Sequence, residues 1–328
     1  MFCKNFSSLY ENYDSLLIDV YGVLYNGSDF FDGVLNLLKE MKDAGKKLII
    51  LSNTTMVSDA CKSKYESKGL IEGIHYDMFI SSGEAFKKTF KEHINSAKTY
   101  FLAFLKNNDI FEDSGLQEVD SMESADFVYV GYLNAGNKIY TVDNLKDKSG
   151  NLISMENLTS VDCHDIEGFE EIANLLDLCL KNKKPLLVAN PDIFALETVS
   201  TSEFLAKRPV LCQGAIGEFY ERLGGNVVYF GKPYPAIYDF AKKFISPSEK
   251  TAMIGDTLWT DILGGNIAGV ETVLTLTGVS GEFFKSMDKN LEINEKIKKL
   301  LNEISPKMTH KSLSVYSQVP THIVESFA

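Results

Sequence analysis

The chain lacks any apolar run long enough to cross a membrane. Its longest hydrophobic stretches have the length of strands, well short of the ~20 residues a spanning helix needs. The start, MFCKNFSSLYENYDSLL, has no basic stretch followed by a long apolar one, so no signal peptide is expected. Cysteine is sparse. Cys3, Cys61, Cys163, Cys179 and Cys212 are odd in number and widely spaced, and no CxxC occurs. That pattern excludes a disulfide framework and a zinc-ribbon spacing, and points to reduced thiols in a cytoplasmic protein. Positive charge is in deficit: 33 Lys and Arg against 45 Asp and Glu give a net charge of -12. Such a surface does not attract nucleic acid or anionic membrane, so neither is expected as a partner. An anionic substrate would need a local positive pocket, built from a metal and a lysine. The histidines (His75, His93, His164, His310 and His322) are scattered, with no pair at ligand spacing. There is no internal repeat and no low-complexity tract.

What is present is a core. Hydrophobic residues make up 45% of the 328 positions and charged residues 24%, as in an ordinary soluble protein of one large or two medium domains. Strand and helix patterns alternate from the start. SLLIDVYG reads as a buried strand, and residues 31–45 have helical spacing and end in glycine. KKLIILSN is the next strand, 57–69 a helix with a polar face, and YDMFISS then GEAFKKTFKEH continue the alternation. The order returns near the other end with NVVYFG, PAIYDFAKKFI, KTAMIGD, LWTDILGGNIAG and ETVLTLTG, then the amphipathic NEKIKKLLNEI and a short strand in PTHIVESF. This predicts an α/β protein with a Rossmann-like parallel sheet covered by helices on both faces. The middle differs. Residues 134–165 are weakly patterned and expected to be loop-rich, between strands KTYFLAF and ADFVYVGY and the helix–strand pair GFEEIANLLDLCLKNKK and PLLVANPD. The expected division is a core of 1–93 and 205–328 with an inserted α/β domain over 94–204.

The chemistry lies at strand ends. In an open parallel sheet, ligands bind at the carboxyl ends of the strands. Asp19 ends the first strand, Ser52 and Asn53 end LIILSN, Lys232 follows VVYFG, and Asp256 ends TAMIGD with Asp261 in the helix after it. All are expected along one edge of one sheet. Carboxylates brought together repel and need a cation. Oxygen-only ligands suit a hard ion, Mg²⁺ above all. A serine hydroxyl, an asparagine amide and a lysine are donors for phosphate oxygens. An aspartate beside a metal can attack phosphorus. The residues therefore point to phosphoryl transfer through Asp19.

In that order the four stretches resemble the four motifs of the haloacid dehalogenase-like superfamily: an aspartate-led DVYGVL, a strand-ending serine, a lysine, and GDTLWTD of the GDxxxTD type. The segment 253–280, with VANPD, GKPYPAIY and PTHIVESF, is similar to the class IIA branch, which includes nitrophenylphosphatase-like and phosphoglycolate phosphatases. The resemblance covers about 10–93 and 205–328 and is weaker in the middle. It implies Asp19 as nucleophile and metal ligand and Asp256 as the second carboxylate ligand. Asp261 would be an outer-shell ligand and partner of Lys232, and the Tyr21 backbone carbonyl a further metal ligand. Ser52, Asn53 and Lys232 would bind the transferring phosphoryl group, Lys232 also offsetting the charge on Asp19. The middle insert would be a cap that closes over the site and selects a small phosphorylated metabolite. Cap-mediated dimers occur among such proteins, so a homodimer stays open.

The sequence departs from that family at Tyr21, where phosphatases carry an acid/base aspartate. A positioned acid/base contributes ~10²–10⁴-fold in rate, and a phenol of pKa ≈ 10 is only about 0.1% ionised at pH 7. Tyr21 can donate a proton to a leaving alkoxide but is a poor base for water. The expectation is a slow phosphatase, or one restricted to good leaving groups. A tyrosine here also resembles the haloacid dehalogenases, so carbon–halogen hydrolysis competes, although those enzymes do not need Mg²⁺ and lack the full GDxxxxD motif retained here. A phosphate- or nucleotide-binding pseudoenzyme is the third reading.

Taken singly, each residue has a plainer reading: Asp19 a turn aspartate, Ser52 and Asn53 cap residues, Lys232 a surface lysine, Asp261 a first-turn helix carboxylate. The set gives them their meaning. Tyr25 and Tyr234 read first as packing residues, Asn26 and Gly27 as shapers of the loop after the first strand, and Trp259 as packing at the rim or against a partner. Asn190 and Asp192 form a good turn that could also contact substrate.

Overall fold

The computed structural model describes residues 2–104, 110–133, 139–200 and 205–328. Numbered along the chain, its strands are β1 (Phe2–Asn5), β2 (Ser15–Ile18), β3 (Lys47–Ser52), β4 (Met78–Ser81), β5 (Thr99–Ala103), β6 (Gln117–Glu118) and β7 (Phe127–Val130). They continue with β8 (Leu186–Val188), β9 (Phe194–Ser200), β10 (Leu205–Leu211), β11 (Val227–Tyr229), β12 (Thr251–Gly255), β13 (Glu271–Thr275) and β14 (His322–Ser326). The chain divides into two compact units, Met1–Ser82 with Lys232–Ala328, and Gly83–Gly231.

The first unit holds a seven-stranded sheet in the order β1-β14-β13-β12-β2-β3-β4, parallel at every pairing. Strand β2, SLLI, next to the central β12, is buried at all four positions, as a parallel strand covered on both faces must be. Side chains alternate by face. Leu16 and Ile18 join Leu48, Ile50, Ala252, Ile254, Val273 and Val324 in one cluster. Helix Val34–Asp43 covers that face through Val34, Leu37, Leu38 and Met41, the i, i+3, i+4, i+7 stripe that its sequence predicts. Each such side chain, fully buried, contributes about 1.5–3 kcal/mol. On the other face, helix Leu263–Ala268 lies close enough that a Cβ at Gly265 would stand 2.5 Å from Thr272 Cγ2 and 3.0 Å from Met253 Cβ.

The second unit has a five-stranded parallel sheet, β11-β8-β7-β5-β6, and an antiparallel β9–β10 hairpin. Two segments expected in the core belong here. NVVYFG forms β11, whose partner is β8: Val227 pairs with Leu186 and Tyr229 with Val188. Helix Ser82–His93 turns Phe86 into an aromatic cluster with Tyr129 and Phe230, each ring centroid 5.0 Å away, and Phe111 at 5.5 Å. Both expected boundaries, after 93 and before 205, therefore fall inside this unit. Of the weakly patterned segment, residues 134–138 lie outside the described residues. The rest carries short 3₁₀ turns, Val142–Asn144, Met155–Ser160 and Cys163–Asp165, and isolated bridges such as Lys146 with Leu152.

Candidate active site

From β2 the chain crosses to β3 on one side, and from β12 it crosses to β13 on the other. The two central neighbours thus feed opposite halves of the sheet, and their carboxyl ends splay into a crevice. Asp19 leaves β2 there, its N–H donating to Ile254 O of β12 at 2.9 Å. Asp256 leaves β12 one residue past its end. Asp261 sits in a π-helical turn, Leu258–Ile262, a geometry that recurs at functional sites. It folds back over β12 so closely that a Cβ at Gly255 would lie 2.2 Å from Asp261 Cγ. Asp19, Asp256 and Asp261 are all buried, with ligand oxygens within 4.8 Å of one another.

Lys232 enters this group by a different route from the one expected. Its preceding strand is not in the seven-stranded sheet, so no strand of that sheet delivers it. Asn53 holds it instead. The Lys232 N–H donates to Asn53 Oδ1 at 2.7 Å, and Asn53 Nδ2 donates to Lys232 O at 2.9 Å. The ammonium then donates to Asp19 Oδ1 and, at 2.7 Å, to Asp261 Oδ1. Ser52 is buried at the end of β3, and its Oγ accepts from Thr54 N at 3.4 Å. Ser82 Oγ braces the same corner by donating to Asn53 O at 2.8 Å.

Asp256 lies in a cradle that composition gives no sign of. Val279 N–H donates to its Oδ2 at 2.5 Å and Thr257 Oγ1 to its Oδ1 at 2.9 Å. A Cβ at Gly22 would fall 2.3 Å from Asp256 Oδ2, and one at Gly278 would fall 1.9 Å from it. Gly22 also has φ +83°, which disfavours any other residue. Thr277 Oγ1 donates to Gly22 O and ties the two glycine loops together. Attention to the residues just past β13, another strand end, would have found Gly278 and Val279.

Electrostatics favour a cation. Burial pushes Asp19 well above the usual carboxylate range; Lys232 opposes the shift, and Asp261 and Asp256 add to it. Burial, then Asp261, raises Asp256 to about 7, against the pull of Val279 N–H and Thr257. Burial alone would lower Lys232, but Asp19 and Asp261 outweigh it and hold the ammonium above its ordinary range. Three carboxylates and one ammonium carry a formal -2 when ionised, the charge that one divalent cation cancels. The oxygen-only donor set and the glycine cradle fit a small hard ion.

Tyr21 follows Asp19 by two residues, and 41% of its surface is exposed. Its hydroxyl accepts from Lys64 Nζ at 2.9 Å, on helix Ser58–Glu66, and its ring meets Tyr25 edge-on at 5.4 Å. Asn26 Oδ1 accepts from Ser28 N and Asp29 N at 2.9 and 3.0 Å, and Gly27 has φ +102°, so both shape the following loop. Trp259 is buried with Phe283 edge-on at 6.0 Å. In the second unit, Asn190 Oδ1 accepts from Asp192 N at 2.9 Å, the turn expected there. Among the described residues, no helix is long and apolar enough to cross a membrane.

Two family models and several known proteins match this chain. The haloacid dehalogenase-like hydrolase family model matches residues 16–117, and an HAD-hydrolase-like model matches residues 229–301. Phosphoglycolate phosphatase 2 of Arabidopsis thaliana is 25% identical over 85% of this chain and 88% of its own. The 5'-nucleotidase YutF of Bacillus subtilis is 24% identical over 82% of this chain and 90% of its own. The crystal structure of a haloacid dehalogenase-like hydrolase from Brucella suis 1330 has the same fold, with a TM-score of 0.66 and 19% identity over 99% of this chain and 100% of that one.

Proposed function

The chain belongs to the haloacid dehalogenase-like hydrolases, in the class IIA group and of the phosphoric monoester type, and we propose that it hydrolyses a small phosphorylated metabolite through an aspartyl-phosphate at Asp19. The observation that carries this reading is the buried cluster of Asp19, Asp256 and Asp261 around Lys232. In this reading a carboxylate oxygen of Asp19 attacks phosphorus, and the bond from phosphorus to the leaving oxygen breaks. The departing alkoxide takes a proton from the Tyr21 hydroxyl or from water. Water then attacks the acyl phosphate, its proton passing to the Tyr21 phenolate or to solvent, which releases inorganic phosphate and restores Asp19. Lys232 fixes Asp19 and offsets negative charge on the phosphoryl oxygens. Ser52, and the backbone that Asn53 anchors, form the phosphate corner. Mg²⁺, held by Asp19, Asp256 and the Tyr21 carbonyl with Asp261 in the outer shell, would supply charge neutralisation at the phosphoryl group.

The second unit is proposed as the specificity-determining cap, and the setting as cytoplasmic. Phosphatases among the relatives favour phosphoryl transfer over carbon–halogen hydrolysis. The intact acidic cluster favours it over a catalytically dead binding module. Phosphate release from a panel of monoesters, with and without Mg²⁺, tests the reading. Wild type should release phosphate only with metal, and Asp19→Asn should not. Tyr21→Asp should accelerate alkyl esters by up to ~10²–10⁴-fold, while p-nitrophenyl phosphate gains less. Release that survives in Asp19→Asn would sink the aspartyl-phosphate. Halide release from 2-chloropropionate without metal would move the assignment to dehalogenation.

A further inference from the structure

The second unit holds a cluster that phosphoryl transfer does not use. Asp162, Cys163 and His164 stand in and before the 3₁₀ turn Cys163–Asp165, and each offers a ligand atom within 4.8 Å of the other two. Cys163 Sγ lies 3.7 Å from His164 Nδ1. Zinc bonds of about 2.3 Å to sulfur and 2.0–2.1 Å to nitrogen subtend a tetrahedral edge of about 3.6 Å. The sulfur and nitrogen are therefore already at the spacing of two ligands on one ion. Asp162 Oδ1 is 2.7 Å from the same Nδ1, a hydrogen bond that would open to about 3.4 Å on coordination. The other ring nitrogen, Nε2, faces both oxygens of Asp177, each at 3.1 Å, from helix Glu170–Lys181. Metal-ligating histidines almost always donate their other ring N–H to a carboxylate, a backbone carbonyl or water, which fixes the tautomer, and Asp177 is such a carboxylate.

We propose that Asp162, Cys163 and His164 form a second cation site, for a thiophilic divalent ion of the Zn²⁺ type, with Asp177 orienting the histidine. The donor set separates it chemically from the first site: sulfur and imidazole select zinc-like ions, whereas carboxylates alone select magnesium. Asp162 and His164 are partly exposed and open the site to solvent, while Cys163 forms its buried floor. On binding, the thiol proton leaves to solvent, and so does any proton on Nδ1. The fourth ligand is water.

Co²⁺ titration of the metal-stripped full-length protein tests this, because a cobalt–thiolate charge-transfer band in the near ultraviolet requires a cysteine ligand and cannot arise at an all-oxygen site. Wild type should show the band at one equivalent, and Zn²⁺ should displace it. Asp19→Asn, which alters only the first site, should retain it. Cys163→Ser and, at a partly exposed position, His164→Gln should both lose it while their circular dichroism spectra match wild type. Asp177→Asn should keep it with about 10–100-fold weaker affinity. No band in wild type, or a band that persists in Cys163→Ser or His164→Gln, overturns the proposal.

Discussion

Lys232 depends on Asn53 more than on any strand. The asparagine closes both backbone groups of the lysine, in a place where neither has access to water. Asn53→Ala should leave those groups unsatisfied and cost about 1–3 kcal/mol of stability. It should also slow phosphate release; a thermal melt and a turnover assay on the same preparation check both. Gly278→Ala should act differently. Its methyl must displace the Asp256 carboxylate, and a misplacement of about 1 Å costs ~10²-fold in rate, so activity should fall by at least that much while the circular dichroism spectrum is kept. Asp19, Ser52 and Asp256 stand at strand ends, where a buried apolar run stopping at a polar residue marks them; Lys232 was expected at one too, but its strand belongs to the other sheet. The amide clamp and the glycine cradle were not legible in the sequence. They exist only where two loops distant in sequence approach, and nothing local in NTT or LTGVS encodes that approach.

At the scale of elements, the opposite end of the sheet is pinned by one carboxylate. Glu249 accepts from Ser15 at the start of β2 and pairs with Lys47 at the start of β3, Nζ to Oε1 at 2.9 Å. The Ser15 hydrogen bond, then Lys47, lowers its pKa against the effect of burial. A depressed folded-state value means the stabilisation is complete above the unfolded-state pKa, near 4.3–4.5, and is lost as pH falls through the folded one. Glu249→Gln should therefore melt below wild type at neutral pH, and the gap should close as the medium is acidified past that range; a constant gap would show that the charge is irrelevant. Helix periodicity made Val34–Asp43 readable, and apolar runs made β2, β3, β12 and β13 readable. NVVYFG was equally readable as a strand and misassigned as to sheet, because a buried run records that it is covered but not by which neighbour. The π turn under Asp261 left no periodic trace.

At the scale of the whole molecule, the charge of -12 repels the dianionic substrate that the site would bind. Dissolved salt screens that repulsion. The value of kcat/KM for a phosphate monoester at saturating Mg²⁺ should therefore rise with ionic strength, by less than about tenfold. A fall would mean that the local field of Lys232 and its cation governs approach instead.

The sheet order also has a consequence for synthesis. β2 is flanked by β3 and β12, and all of the second unit, Gly83–Gly231, is translated between those two neighbours. At about 5–20 residues per second on the ribosome, one side of SLLI stays an unpaired apolar edge for tens of seconds. Such an edge invites pairing with any other nascent strand. Soluble yield should thus depend on whether a chaperone shields the amino-terminal half until Thr251–Gly255 emerges.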